Sequence, residues 1–353
     1  MVDFEVNYKA GHRLFLGETL YRLEDGHYQF KYPPFASLLY LPLSFFSLTK
    51  AKFIWFFLTA LVTVALISLS AQLACHPKAC PRYIPLLVFL ILARFFIREL
   101  SLGQINALIT TLLLLMVRNW LSAKNSSKKA FQTGFLWALA SLLKPYSLIF
   151  FPLFLLRRCW QIIASAFIFL GLGFTLPVLF YGWKGNLIVH QEWLKSLRAS
   201  TPPLLSSQDN ISVFALLVKW FGRDFPVWSS GLVVIFLLAI ILLLMIMKSK
   251  NLSEPLILEA ASLLLLVPLV SPLGWDYTLI SSSLALCFIL YYWTSFPSFC
   301  RYFLSFILII TSLMIYDLLG RTIYSFLMKI SLPTLLFFIV FAHLVFLRWI
   351  KKA

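Results

Sequence analysis

Residues 53–74 read FIWFFLTALVTVALISLSAQLA, a stretch without one charged side chain. A bilayer core about 30 Å thick needs about 20 such residues in a helix. Hydrocarbon offers no hydrogen-bond partners, so a run of this kind must satisfy its own backbone as a helix or within a closed barrel. A barrel would show short segments of alternating polarity, whereas these runs are continuous. Similar runs recur at about 83–98, 104–117, 130–143, 146–157, 160–181, 231–247, 256–270, 277–293, 301–316 and 330–348. The expectation is an all-α polytopic membrane protein with about eleven crossings. A hydrophobic fraction of 61%, 12% charged residues and a mean hydropathy of +0.90 exclude an ordinary soluble domain.

The chain has 30 Lys and Arg against 13 Asp and Glu, a net charge of +17. In a chain this apolar the excess sets topology, because basic residues collect in cytoplasmic loops; no nucleic acid is expected as a partner. Basic stretches at 76–82, 117–129, 156–158, 248–250 and 348–353 are therefore assigned to the cytoplasm, with Glu254 and Glu259 the only acids on that side. An odd number of crossings places residues 1–52 on the outer face, periplasmic or lumenal, of what is read as a bacterial inner membrane. The chain divides into that outer segment (1–52), a transmembrane core (53–181), an outer loop (182–230) and C-terminal transmembrane helices (231–353). Residues 35–48 are too short to span and read as interfacial or re-entrant.

Residues 1–34 carry five acids, Asp3, Glu5, Glu18, Glu24 and Asp25. MVDFEV has neither the basic nor the apolar region of a signal peptide. A first transmembrane helix ahead of it is expected to be missing from this sequence. Of five cysteines, Cys75 and Cys80 flank His76 in one loop, which lacks the second ligand pair of a usual zinc site. No metal and no cofactor are expected.

Ionisable groups at membrane depth are costly and usually functional. Arg98, Lys144 and Asp276 each stand at an outward helix end, within RELSLGQINALI, LLKPYSL and LVSPLGWDYTLI. Each has a plainer reading. Arg98 can snorkel, Gln104 and Asn106 can join helices, Lys144 can anchor at the interface, and Asp276 can cap a helix. Trp275 can belong to an aromatic belt, and Asp3 by itself is a solvated carboxylate.

Taken in order, DFEVNYKAGHRLFLGETLY, FKYPPFASLLYLPLSFF, LSLGQINALITTLLLL, GFLWALASLLKPYSLIFFPLFLLRRCW and SPLGWDYTLI resemble the motifs of glycosyltransferase family 87. The family consists of polytopic GT-C enzymes, among them polyprenol-phosphate-mannose-dependent mannosyltransferases. The resemblance extends over roughly residues 3–290. It implies that Asp3, matching the acid that follows the family's first helix, is the catalytic base. It also implies a polyprenyl-phosphate sugar as donor and a lipid or glycan hydroxyl as acceptor. The family often carries histidines after its Ser-Pro-x-x-Trp pattern; here Asp276 and Tyr277 stand there.

Physical chemistry leads the same way. A lipid-linked donor keeps its tail among membrane lipids and its phosphate at the outer interface. Inverting transfer then needs one general base beside the acceptor and cations for the leaving phosphate, for which Arg98 and Lys144 are suited. Gln104, Asn106, Trp275 and Asp276 are expected to shape the sugar site. Two rival readings are a transporter or flippase of lipid-linked saccharides, which inverted halves would favour, and an inactive truncated relic.

Overall fold

The computed structural model describes residues 1–123, 126–222, 224–246 and 255–350. Lys124, Lys248, Lys250, Glu254, Lys351 and Lys352, all part of the charge pattern above, lie outside the described residues. Among the described residues every regular element is a helix. The chain is an all-α polytopic membrane protein.

Leu48–Ala74 and Leu332–Ile350 are each long and apolar enough to cross a bilayer. Three further spans arise if helices joined at a break are counted together. These are Tyr83–Leu102 with Asn106–Leu121, Trp160–Thr175 with Val178–Leu205 (bent by 94°), and Ser298–Leu313 with Tyr316–Lys329 (bent by 104°). Shorter apolar helices include Pro145–Leu156, Trp228–Leu243, Pro255–Val270 and Asp276–Tyr291. Hydropathy marks apolar stretches but not where the helix breaks within them, so fewer helices reach spanning length than the eleven stretches counted. The two segments read as loops are largely helical: Val2–Phe15 lies within 1–52, and Val178–Leu205 and Val213–Phe221 occupy much of 182–230.

Two compact units make up the chain. The first comprises residues 1–64 and 99–202. Its opening helix, Val2–Phe15, has Asp3 and Glu5 in the first turn and His12 and Arg13 in the last, complementary to the helix dipole. Phe4, Asn7, Ala10, Gly11 and Leu14 recur at helical spacing and are buried. Gly11 lies on the Tyr40–Leu41 backbone, where a Cβ would come within 2.7 Å of the Tyr40 carbonyl carbon. Phe4 stacks on Trp55 at 5.6 Å, and Trp55 Nε1 donates to the Gly103 carbonyl at 2.9 Å. Gly103, at φ +73°, makes the turn between two apolar helices. It faces Phe4 so closely that a Cβ would stand 2.6 Å from Phe4 Cβ.

Elsewhere in this unit, helix Ser127–Leu143 is capped by Ser126, whose hydroxyl accepts from Lys129 N. It stops at Lys144, held extended (φ −146°, ψ 122°) because Pro145 follows. Gly134 lets helix Trp160–Thr175 approach, since a Cβ there would meet the Ile162 carbonyl at 2.5 Å.

The second unit comprises 65–98 and 203–353. Helix Pro255–Val270 is buried on nearly every side. The turn after it is pinned to residues 209–212: Ile211 N donates to the Gly274 carbonyl at 2.7 Å and Asp276 N to the Asp209 carbonyl at 3.1 Å. Asn210 Nδ2 and Ser212 Oγ both donate to the Pro272 carbonyl. Only glycine fits at 274, where a Cβ would overlap the Pro268 carbonyl. Cys75 and Cys80, on either side of His76, are joined as a disulfide with Cα atoms 5.2 Å apart.

Candidate active site

Four of the sequence-nominated residues, Asp3, Gln104, Asn106 and Lys144, fall into one polar cluster inside the first unit. Asp3 is half-buried in the first turn of a helix rather than in a loop. Gln104 Nε2 donates to Asp3 Oδ2, and Gln104 Oε1 accepts from the Tyr32 hydroxyl at 2.9 Å. The glycine turn at 103 puts Gln104 under Asp3, since Phe4 of the same helix rests on that turn.

Asn106 is buried at the start of the next helix. Its Oδ1 accepts from Lys144 Nζ at 2.7 Å and from the Tyr146 hydroxyl at 3.3 Å. Its Nδ2 donates to Glu99 Oε2 at 2.8 Å. The Lys144 ammonium also lies 5.0 Å from the centre of the Tyr32 ring and 5.7 Å from that of Tyr146, within cation–π range. Tyr32 therefore touches both halves of the cluster, the carboxylate side through Gln104 and the ammonium side through its ring.

Neither Glu99 nor Tyr32 was nominated from sequence. Each sits inside a motif quoted above, RELSLGQINALI and FKYPPF, but neither spacing nor hydropathy distinguishes it there. Lys31, the neighbour of Tyr32, is a further cation on this side. Burial lowers its ammonium below the usual lysine range, and the Asp3 carboxylate opposes that lowering. Glu5 is turned away from the cluster onto Lys52 at 3.2 Å and Lys9 at 3.3 Å, which hold its carboxyl below the ordinary range. Arg13 binds Asp25 through two hydrogen bonds, at 2.5 and 2.8 Å.

The other three nominees, Arg98, Trp275 and Asp276, lie in the second unit. Asp276, with a side chain only 2% exposed, receives Arg98 Nη1 at 2.9 Å and Arg94 Nη2 at 3.4 Å. Arg98 also binds Asp209 at 2.6 Å. Asp276 Oδ1 accepts from Tyr277 N at 2.8 Å, and Trp275 contributes carbonyl contacts to Thr278. Lys219 gives its protons to the carbonyls of Gln208, Asn210 and Met328. The guanidinium expected to meet phosphate thus already bridges two carboxylates. Asp209 was not nominated, because nothing local in SSQDNISV marks it as the partner of an arginine 111 positions away.

In chemical terms the first cluster offers a carboxylate and an ammonium held by neutral amides and tyrosines. Among the described residues Asp3 Oδ2 accepts from Gln104, and Lys144 Nζ donates to Asn106 and faces the Tyr32 and Tyr146 rings. Among the described residues no group of three or more His, Cys, Asp and Glu is placed to hold a metal ion.

The family model of glycosyltransferase family 87 matches residues 30–272. The matched stretch includes Tyr32, Arg98, Glu99, Gln104, Asn106 and Lys144; Asp3 precedes it, and Trp275 and Asp276 follow it. No curated protein and no solved structure matches the chain.

Proposed function

The chain belongs to glycosyltransferase family 87 and is a membrane glycosyltransferase, and on that premise we propose that it moves a hexose, mannose first among candidates, from a polyprenyl-phosphate sugar to a lipid or glycan hydroxyl on the outer face of the membrane. The observation that carries this reading is the joining of Asp3 and Lys144 within one unit by Gln104, Tyr32 and Asn106.

In the proposed reaction the acceptor oxygen attacks the anomeric carbon from the face opposite the phosphate. Its proton passes to Asp3, the bond from anomeric carbon to phosphate oxygen breaks, and the configuration inverts. General-base help of this kind is worth roughly 10²–10⁴-fold. The leaving phosphate gains charge as the bond breaks, and Lys144, with protons to give, supplies fixed positive charge there. Gln104 orients the base, leaving its second oxygen for the acceptor. The outward orientation is supported by the distribution of Lys and Arg.

The test supplies labelled polyprenyl-phosphate mannose to membranes containing the protein and identifies the product. Transfer that disappears in Asp3→Asn, with donor binding kept, supports the reading. Transfer from a nucleotide sugar instead would refute it. Arg98, expected from the sequence to meet phosphate, lies in the second unit with its guanidinium on Asp209 and Asp276, and it is given no part in this reaction.

A further inference from the structure

Glu99 has no part in the mechanism above, yet it is 1% exposed and both its oxygens are engaged. Oε2 accepts from Asn106 Nδ2 at 2.8 Å and Oε1 from Ala107 N at 2.9 Å. Both carboxyl oxygens accept, whereas an amide has one donating and one accepting end. Glu99 therefore obliges Asn106 to turn its NH₂ inward. The carbonyl oxygen is then left facing Lys144 Nζ at 2.7 Å and the Tyr146 hydroxyl at 3.3 Å.

We propose that Glu99 is a positioning residue for donor recognition: by fixing which end of Asn106 faces Lys144, it holds the ammonium where the donor phosphate docks. The inference rests on the reading of Lys144 as the phosphate contact. With Asn106 reversed, two N–H groups would point at an ammonium and the lysine would swing away. A residue at 99 that presents a donor to Asn106 would lose this orientation.

Glu99→Gln keeps the side-chain shape and separates this role from packing. The oxygen of the introduced amide would take the Ala107 N–H, and its NH₂ would face Asn106, which must then flip. The expected result is a rise in donor KM of roughly 10–100-fold, the range for losing a hydrogen bond to a charged group, with a smaller change in kcat at saturating donor. Acylation of Lys144 by a small permeant anhydride, followed by peptide mass spectrometry, should become several-fold faster. The exchange Glu99→Gln with Asn106→Asp restores the pattern, because a carboxylate at position 106 can accept from the amide at position 99 and from Lys144 at once. It should return both readouts close to wild type. If Glu99 served packing alone, two substitutions would not repair what one had damaged.

Lys144→Ala distinguishes this inference from the reading it depends on. Unchanged donor KM in Lys144→Ala overturns the phosphate role of Lys144, and the acylation rate still tests the positioning. A raised KM in Lys144→Ala together with unchanged KM and acylation in Glu99→Gln overturns the role of Glu99. Should Glu99→Gln not fold, the double exchange decides by itself: wild-type KM and acylation support the inference, and loss of either overturns it.

Discussion

Gly103→Ala should damage catalysis as well as stability, and the structure sets the scale of both effects. The backbone at 103 has φ +73°, where an L side chain costs about 1–2 kcal/mol. The new methyl would lie 2.6 Å from Phe4 Cβ, against about 3.4 Å for an ordinary contact, so helix Val2–Phe15 must retreat by roughly 0.8 Å. Phe4 cannot relieve the overlap by rotating, because the clash is with its own Cβ. Overpacking of this kind adds about 1–3 kcal/mol, for a total of about 2–5 kcal/mol. Asp3 rides on the same helix, one residue before Phe4, while Gln104 stays with the turn. Their hydrogen bond opens, and a misplacement near 1 Å at a reacting group costs on the order of 10²-fold in rate. Initial rates with polyprenyl-phosphate mannose and thermal unfolding in detergent measure the two quantities. Gly26→Ala is the control. Its φ is also positive (+56°), but its Cβ would have nothing within 4 Å, so it should lose about 1–3 kcal/mol of stability with turnover intact. Wild-type turnover in Gly103→Ala, or an equal loss in Gly26→Ala, would refute the claim that this turn sets Asp3 against Gln104.

Asp3→Asn keeps the shape and removes the proposed proton acceptor, so turnover should fall by roughly 10²–10⁴-fold with donor binding preserved. Glu5→Gln should be mild, since that carboxylate is engaged with Lys9 and Lys52; kinetics of the two variants side by side check this. A cysteine replacing Lys128 should be shielded from an impermeant outside label and one replacing Ala199 should react; the reverse pattern would put the Lys144 end on the wrong face. The Arg13 guanidinium holds the Asp25 carboxyl below its ordinary range. The pair therefore stabilises the first 28 residues fully above the unfolded carboxylate pKa of about 4, and that contribution fades as pH falls through the lower folded value. Limited proteolysis of this segment should accelerate on acidification, and Asp25→Asn should flatten the dependence. Asp276→Ala leaves Arg94 and Arg98 without their shared buried carboxylate and should cost about 3–5 kcal/mol, read as loss of folded protein in detergent.

The apolar runs by themselves determine that this chain is built of membrane helices, because hydrocarbon imposes one backbone solution on any long uncharged stretch. The sequence likewise determines that Lys144 stands at a helix end, since Pro145 forbids the helical conformation before it. Its ordered motifs reveal the family. Asp3, Gln104, Asn106 and Lys144 were legible as candidates, because polar groups in so greasy a chain are few and conspicuous. Their arrangement was not legible. Gln104 reaches Asp3 across 101 positions and Lys144 reaches Asn106 across 38, and no local propensity encodes a partner at that separation. Only the tertiary structure decided that Asp3 sits in a helix, that Arg98 divides itself between Asp209 and Asp276, and that Glu99 accepts from Asn106. Hydropathy and capping sum over neighbours in sequence, whereas a buried polar group is satisfied by whichever donor or acceptor packing brings to it.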